Sequence, residues 1–380
     1  MQKKRIAIHL PDLNLGGIGK NSFKLAEAFR DKGYKVEFVI NNFNGKYIDQ
    51  IPNDIAVVDL KSNRFFCSLP KIYKYLKQTE PDAFIVARDY INIPIIIIKN
   101  ILRIKTRLMI SCHTNMAEEV KYAGLKRKIF LKIILFLTRF TYRYADSVVV
   151  VSEGIKNDVH IYSGLDKDRI TTIYNPIIDS KMEAQMKEEV ECKWIEVDEK
   201  VIISVGRLTR QKDFVTLIKA FDLVKKQYEG VKLIILGEGE DRVKLQKLID
   251  EMGLGKEVNL WGYVNNPYAY LKKADLFVLA SAWEGFGNSI VEAMATGIPL
   301  ICTDCPSGPS EILANGKYGD LVKVGDYEEL SKRILYNLRN VNVLKETKEA
   351  RVKRAYEFTL EEAANKYLHA LKLGENENGK

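Results

Sequence analysis

The chain reads as an α/β protein made of two Rossmann-like, doubly wound domains. Three observations predict this. Short apolar, strand-like segments alternate with helical patterns, the signature of parallel sheets covered on both faces. The alternation breaks at an acidic, weakly periodic stretch over residues 179–200 and then restarts. The length of 380 residues suits two ordinary domains better than one.

In the first domain, residues 1–178, strands are expected at Arg5–Leu10, Lys35–Ile40, Ala56–Leu60, Ala83–Ala87, Thr106–Ser111, Ser147–Val151 and Thr171–Tyr174. Helical patterns fall between several of them, as at Gly19–Lys32 and Leu69–Gln78. Residues 179–200 read as a linker with a short helix. The second domain, residues 201–359, offers strands at Val201–Val205, Lys232–Leu236, Val258–Trp261, Leu276–Leu279, Pro299–Cys302 and Leu321–Val322. Helices are expected at 213–228, 240–252, 267–273, 288–296 and 326–338. A last amphipathic helix covers 360–373, and Gly374–Lys380 is a polar tail.

Apolar content of 46% and charged content of 29% are those of a soluble globular protein. No apolar run reaches the ~18–20 residues that span a bilayer; Ile91–Ile98 is too short. The N-terminus has neither the apolar core nor the cleavage site of a signal peptide, so a cytoplasmic location is expected. Five scattered cysteines include Cys302 and Cys305 in a CxxC with no second pair nearby, which reads as reduced thiols at a strand end.

The net charge of +9 is unevenly placed. Residues 1–178 hold 29 Lys/Arg against 17 Asp/Glu, and residues 179–380 hold 30 against 33. A basic half points to a polyanionic partner. With no zinc-finger spacing and no RNA-binding aromatic signature, an anionic membrane surface is expected rather than nucleic acid. The basic segment is 125–143. At ~100° per residue, Lys128, Lys132, Arg139 and Arg143 fall within roughly 60° of one another. Ile129, Phe130, Ile133, Ile134, Phe136, Leu137 and Phe140 cover the opposite side, and no acidic residue occurs from Val120 to Ala145. Such a helix either packs its apolar face into the core or lies on an anionic membrane. The two readings combine if the apolar face points inward and the basic stripe meets lipid headgroups.

Ligands of doubly wound sheets bind beyond the carboxyl ends of strands, so the loops there are the candidates. After the first strand comes Leu15-Gly16-Gly17-Ile18-Gly19-Lys20-Asn21-Ser22. A P-loop needs Gly at Asn14 and a dinucleotide fingerprint needs Gly at Ser22, so both fail. Cys112-His113-Thr114-Asn115 follows the fifth strand. Gly206-Arg207-Leu208-Thr209-Arg210-Gln211-Lys212 places long cations on one loop, where Arg and Lys can clamp a diphosphate. Arg210 reads as a solvated charge. Asp166-Lys167-Asp168 is a D-x-D that does not end an apolar strand, and no metal is inferred from it.

The most informative stretch is Ala282-Trp283-Glu284-Gly285-Phe286-Gly287-Asn288-Ser289-Ile290-Val291-Glu292. Two glutamates stand with seven residues between them, and a small-residue loop opens into a helix. A helix N-terminus favours phosphate. The unit fits a ligand with a diphosphate in the middle and hydroxyl-rich groups at both ends, the layout of a nucleotide diphosphate sugar.

This stretch resembles the E-x7-E motif of family 4 retaining glycosyltransferases of the GT-B fold, and the resemblance extends over nearly the whole chain. It implies the following roles. Glu284 bonds hydroxyls of the donor sugar and Glu292 binds the ribose. Backbone N–H groups of Phe286, Gly287, Asn288 and Ser289 meet the sugar and diphosphate. Arg207 and Lys212 match the family's G-R-L-x3-K pattern and hold the diphosphate. Gly16 and Gly17 approach the donor phosphate and shape the acceptor side, and His113 contacts the donor sugar. Tyr263 and Val264 line the nucleobase, unless they belong to the core. Glu311 is read as helix-start chemistry first and as a ligand contact second. The C-terminal helix returns to the first domain. Thr303–Pro309 is similar to that segment in members using N-acetylhexosamine or galactose donors.

The expected activity is transfer of a sugar, from UDP-N-acetylhexosamine or UDP-hexose, to a glycan acceptor that is lipid-linked, at the inner face of the membrane, in surface-polysaccharide or glycoprotein-glycan assembly. No cofactor or metal is expected. The alternatives are a UDP-sugar epimerase of the same fold, transfer to a protein acceptor, and a non-enzymatic membrane-binding module.

Overall fold

The computed structural model describes residues 3–13, 16–45, 48, 51–190, 192, 194, 199–340 and 347–373. Asn14, Leu15, the tail 374–380 and part of the expected linker lie outside them. The chain divides into two compact units: residues up to Pro176 together with those from Thr359 onward, and Ile177–Phe358.

Unit 1 carries strands β1 Arg5–Leu10, β2 Lys35–Ile40, β3 Ala56–Asp59, β4 Ala83–Val86, β5 Arg107–Cys112, β6 Ser147–Val150 and β7 Ile170–Thr172. They pair in the order β3-β2-β1-β4-β5-β6-β7, all parallel. The intervening helices are α1 Gly16–Asp31, α2 Phe65–Thr79, α3 Asp89–Leu102, α4 Met116–Tyr122, α5 Leu125–Thr141 and α6 Glu153–Ser163. Crossovers between parallel strands are right-handed. The step β1 to β2 runs one way along the sheet and the steps from β3 onward run the other. The helices α2, α3, α5 and α6 therefore pack in that order on one face, with α1 on the opposite face.

Unit 2 carries β8 Lys200–Val205, β9 Val231–Leu236, β10 Val258–Gly262, β11 Leu276–Leu279, β12 Leu300–Thr303 and β13 Asp320–Val322, paired as β10-β9-β8-β11-β12-β13. Its helices are α7 Met182–Gln185, α8 Phe214–Lys225, α9 Arg242–Glu251, α10 Pro267–Lys273, α11 Asn288–Thr296, α12 Pro309–Ile312, α13 Tyr327–Arg339 and α14 Lys348–Ala355. A last helix, α15 Leu360–Ala370, packs on α1, so the chain's end completes unit 1.

Each sheet has its own apolar core. In unit 1 Ile6, Ile8, Phe29 and Phe38 are buried with Ala364, Tyr367 and Leu368 of α15. In unit 2 Ile202, Leu217, Phe221, Leu233 and Ile235 form the equivalent centre. Side-chain caps fix several helix starts: Ser152 accepts from Ile155 N–H, Asp213 from Thr216 N–H, and Thr359 from Glu362 N–H.

The structure corrects two expectations. Gly16 and Gly17 are not a loop; they are the first residues of α1 and exposed. Arg143 is not on the basic helix, which ends at Thr141; it sits in a 3₁₀ turn, Tyr142–Tyr144. The ~100° step no longer applies there.

Candidate active site

In unit 2 the exits of β8, β9, β11 and β12 converge. After β8 the chain runs through Gly206 and Arg207 to a 3₁₀ turn, Arg210–Lys212. Gly206 N–H donates to Leu236 O at 3.0 Å and Leu208 N–H to Glu238 O at 3.0 Å. These bonds press the β8 exit onto the β9 exit so closely that a Cβ on Gly237 would lie 1.9 Å from Gly206 O. Only glycine fits, and its φ of +150° suits it too.

The β11 exit is tied to the same place. Ala282 N–H donates to Gln211 O at 2.8 Å, and Gln211 Nε2 donates to Trp283 O at 3.0 Å. Glu284 is buried, and Lys212 Nζ donates to its Oε1 at 2.5 Å. Ser281 Oγ donates to the same oxygen at 2.6 Å. A carboxylate buried this deeply requires such partners. Lys212 is thus the counter-ion of Glu284. Arg207 is exposed, and no hydrogen bond or ion pair among the described residues holds its guanidinium.

Gly287, at φ +101°, ends the loop and caps α11. The helix starts at Asn288 and its first turn carries no acidic side chain, so its N-terminal N–H groups keep their positive field. Ser289 is buried, and its Oγ has no hydrogen-bond partner among the described residues. Buried hydroxyls are normally paired, which sets this one apart at the head of α11. Phe286 is buried against Phe358, with ring centroids 5.5 Å apart. Glu292 is half-buried, and its charge helps raise the Tyr268 hydroxyl after burial has done most of that. The Cβ of any residue replacing Gly308 would lie 1.8 Å from Phe286 O, which fixes the loop from the β12 side.

Other residues singled out in the sequence are placed as follows. Tyr263 is exposed and Val264 half-buried, so neither is a core residue. Glu311 Oε1 accepts the Gly308 N–H at 3.4 Å, the helix-start role expected of it. Burial pushes the Cys302 and Cys305 thiols up, so both stay protonated. Asp168 lies on a short 3₁₀ turn, Lys167–Arg169, without buried residues. Sequence reasoning missed Ser281, whose hydroxyl carries no motif signal, and the bond that the Thr303 hydroxyl makes to the Ser281 carbonyl.

In unit 1, His113 follows β5 and lines a cleft with Asn21, Ser22, Ser111, Asn175 and Tyr367. Burial, and then the charge of Arg88, lowers its imidazole to about 4. It is neutral at physiological pH, with Nε2 2.9 Å from Ser111 Oγ. The Asn21 Nδ2 is buried without a partner among the described residues.

The basic helix α5 departs from one of its two readings. Only Leu131, Ile134 and Thr138 are buried. Of the seven apolar residues expected to cover one side, Ile134 alone faces the core, and Ile129, Phe130, Ile133, Phe136, Leu137 and Phe140 are exposed, Phe136 at 63%. On a ~100° helical wheel the buried seam lies roughly 135° from the centre of this exposed apolar sector, and the Lys128–Lys132–Arg139 stripe lies on the longer arc between them. Lys132 and Arg139 are exposed and Lys128 half-buried. No helix among the described residues is long and apolar enough to cross a membrane.

Comparison with known proteins agrees with this geometry. The chain is 33% identical over 273 residues to an uncharacterised glycosyltransferase of Methanocaldococcus jannaschii, the match covering 67% of this chain and 66% of that protein. It is 32% identical over 255 residues to the N-acetylgalactosamine-N,N'-diacetylbacillosaminyl-diphospho-undecaprenol 4-alpha-N-acetylgalactosaminyltransferase of Campylobacter jejuni, covering 67% and 66%. The matched region thus spans just under two thirds of these relatives. The crystal structure of Anabaena HepE in complex with UDP and glucose superposes with a TM-score of 0.80 at 19% identity, over 97% of this chain and 99% of that one, and shows the shared fold. The model of glycosyltransferase family 4 matches residues 15–181 and that of glycosyl transferases group 1 matches residues 186–358. With both units accounted for, the chain belongs to the family 4 glycosyltransferases of the GT-B fold.

Proposed function

We propose that the enzyme transfers a sugar, with retention of configuration, from a UDP-sugar to a lipid-linked glycan in bacterial polysaccharide or glycoprotein-glycan assembly. The observation that carries the donor reading is the start of α11, where a buried carboxylate, a buried hydroxyl without a hydrogen-bond partner among the described residues and a helix N-terminus with no acidic side chain in its first turn stand together. Glu284 takes hydroxyls of the sugar and the α11 N-terminus takes the diphosphate, with the exposed Arg207 as its cation. Tyr263 and Val264 line the base, and Glu292 takes the ribose. In unit 1, Gly16 and Gly17 leave the start of α1 open on the acceptor side, and His113 offers a neutral imidazole to a sugar hydroxyl. The bond from the sugar C1 to the phosphate oxygen breaks with its electron pair going to the phosphate. The acceptor oxygen forms the new bond on the same face, and its proton passes to the departing phosphate. The HepE complex with UDP and glucose supports the donor. The undecaprenol-linked substrate in the name of the Campylobacter relative supports the acceptor.

The exposed apolar sector of α5, bordered by Lys132 and Arg139, supports peripheral attachment to the anionic inner face of the membrane. No metal is proposed, and undiminished activity in EDTA checks that.

The test is UDP release from a panel of UDP-sugars, with and without membrane lipid extract, for the wild type and Glu284→Ala. One sugar giving lipid-dependent release that the variant loses is the expected result. Turnover of GDP- or ADP-sugars instead, or of none while UDP fails to bind, overturns the reading.

A further inference from the structure

Glu284 is held through one of its two oxygens. Lys212 Nζ and Ser281 Oγ both donate to Oε1, and no hydrogen bond among the described residues reaches Oε2. Ser281 lies just past the end of β11 and is fully buried. Its own carbonyl accepts the Thr303 hydroxyl, at 2.6 Å, from the end of β12. On the other side, Ser204 of β8 donates to Val278 O of β11 at 2.6 Å. All three hydroxyls are fully buried, and their strands are neighbours in the sheet. Burying a hydroxyl costs free energy that an aliphatic side chain would not incur. Here the hydroxyls fix direction: two anchor the backbone of β11 and its exit, and the third fixes a carboxylate.

We propose that Ser281 is a positioning residue of the donor site. It sets the plane of the Glu284 carboxylate so that Oε1 is spent on the protein and Oε2 remains for the donor's sugar hydroxyls. Lys212 alone cannot do this. A single ammonium satisfies a carboxylate in many orientations, because the terminal torsion of Glu is broad. The second donor, on a rigid strand exit, selects one. The inference rests on the donor reading given above.

The experiment is calorimetric titration of the full chain with UDP and, separately, with UDP-glucose, UDP-galactose and their N-acetylhexosamine counterparts, for the wild type, Ser281→Ala and Ser281→Thr. A hydrogen bond to a charged group corresponds to about tenfold in affinity. In Ser281→Ala the best UDP-sugar is expected to weaken about tenfold while UDP stays within about twofold, and Ser281→Thr restores the sugar-dependent part. Retained UDP binding also shows that unit 2 is folded. Equal weakening of UDP and UDP-sugar, or no change in either, overturns the positioning role while leaving the donor reading intact. Failure of the wild type to bind UDP removes both.

Discussion

Lys212 and Glu284, seventy-two positions apart, meet as a buried ion pair at 2.5 Å, with side chains 13% and 6% exposed. The pair joins the exits of β8 and β11 and puts a desolvated charge of each sign at the head of α11. Removing one member strands the other, which typically costs about 3–5 kcal/mol, whereas removing both is much less harmful. Lys212→Met and Glu284→Gln are therefore each expected to destabilise unit 2 by about 3 kcal/mol, and the double variant by clearly less than their sum. The tryptophans Trp194, Trp261 and Trp283 all lie in unit 2, so urea unfolding followed by their emission isolates it. Strict additivity would show that the two side chains act independently.

Gly308 has φ +98°, and a Cβ there would fall 1.8 Å from Phe286 O. Both facts forbid any other residue without movement of the 284–289 loop. Gly308→Ala is expected to cost about 2 kcal/mol or more. UDP binding should weaken in parallel, because the displaced backbone is the one that opens α11. The control is Gly255→Ala, where an added Cβ meets nothing within 4 Å. Equal UDP affinity in both variants would detach the loop from donor binding.

The strand pattern was legible because each strand is a short, nearly continuous apolar run, as at Val201–Val205 and Leu276–Leu279, where the parallel sheet buries both faces. The loops with charge or glycine signals, 206–212 and 282–292, were legible for the same reason: they follow such runs. Helix α3 was not. Its apolar run Ile91–Ile98 carries Pro94 and shows no polar face, so periodicity could not separate a helix from a strand. The hydroxyl partner of Glu284 was also hidden, since Ser281 is an ordinary strand-end residue until the fold sets it beside a carboxylate, and Thr303 acts only through the Ser281 carbonyl. The sequence left both readings of α5 open because an exposed apolar sector and a buried one have the same composition. Only packing distinguishes them.

Two histidines of unit 1 are held neutral. Burial lowers His9 to about 4 despite its bond to Asn41, and burial with the Arg88 charge lowers His113 to about 4. In the unfolded chain both titrate near 6.5. Between these values the unfolded state binds more protons, so stability falls as pH falls. Their contribution is complete above about pH 6.5 and lost progressively toward about pH 4. The unfolding transition that leaves tryptophan emission unchanged should therefore move to lower temperature across that window. His9→Gln should flatten the slope by close to one proton. NMR titration checks the same claim directly: both rings should keep neutral-imidazole shifts at pH 5.5. A ring that titrates near 6.5 would refute its assignment.

On α5 the charges and the apolar sector do different work, and two variants separate them. Lys132 and Arg139 are exposed, and neither is engaged by an acidic side chain among the described residues. Their attraction to anionic lipid is long-range and is screened over ~8 Å at physiological salt. Each basic residue near such a surface contributes about 1 kcal/mol. Lys132→Glu/Arg139→Glu should therefore reduce binding to vesicles of phosphatidylglycerol and phosphatidylcholine more than tenfold at low salt, with a smaller difference at high salt. Phe136 and Phe140 form an edge-to-face pair with centroids 5.2 Å apart, and both are exposed. Replacing both by Ser removes apolar contact, which salt does not screen, so that loss should persist at high salt and with neutral vesicles. Neither change touches Leu131, Ile134 or Thr138, the buried residues of the helix, so UDP binding and the melting temperature should stay as in the wild type. Vesicle co-sedimentation of both variants across a salt series is the measurement. If both variants sediment like the wild type, α5 does not face the membrane, and its apolar sector must instead serve a protein partner.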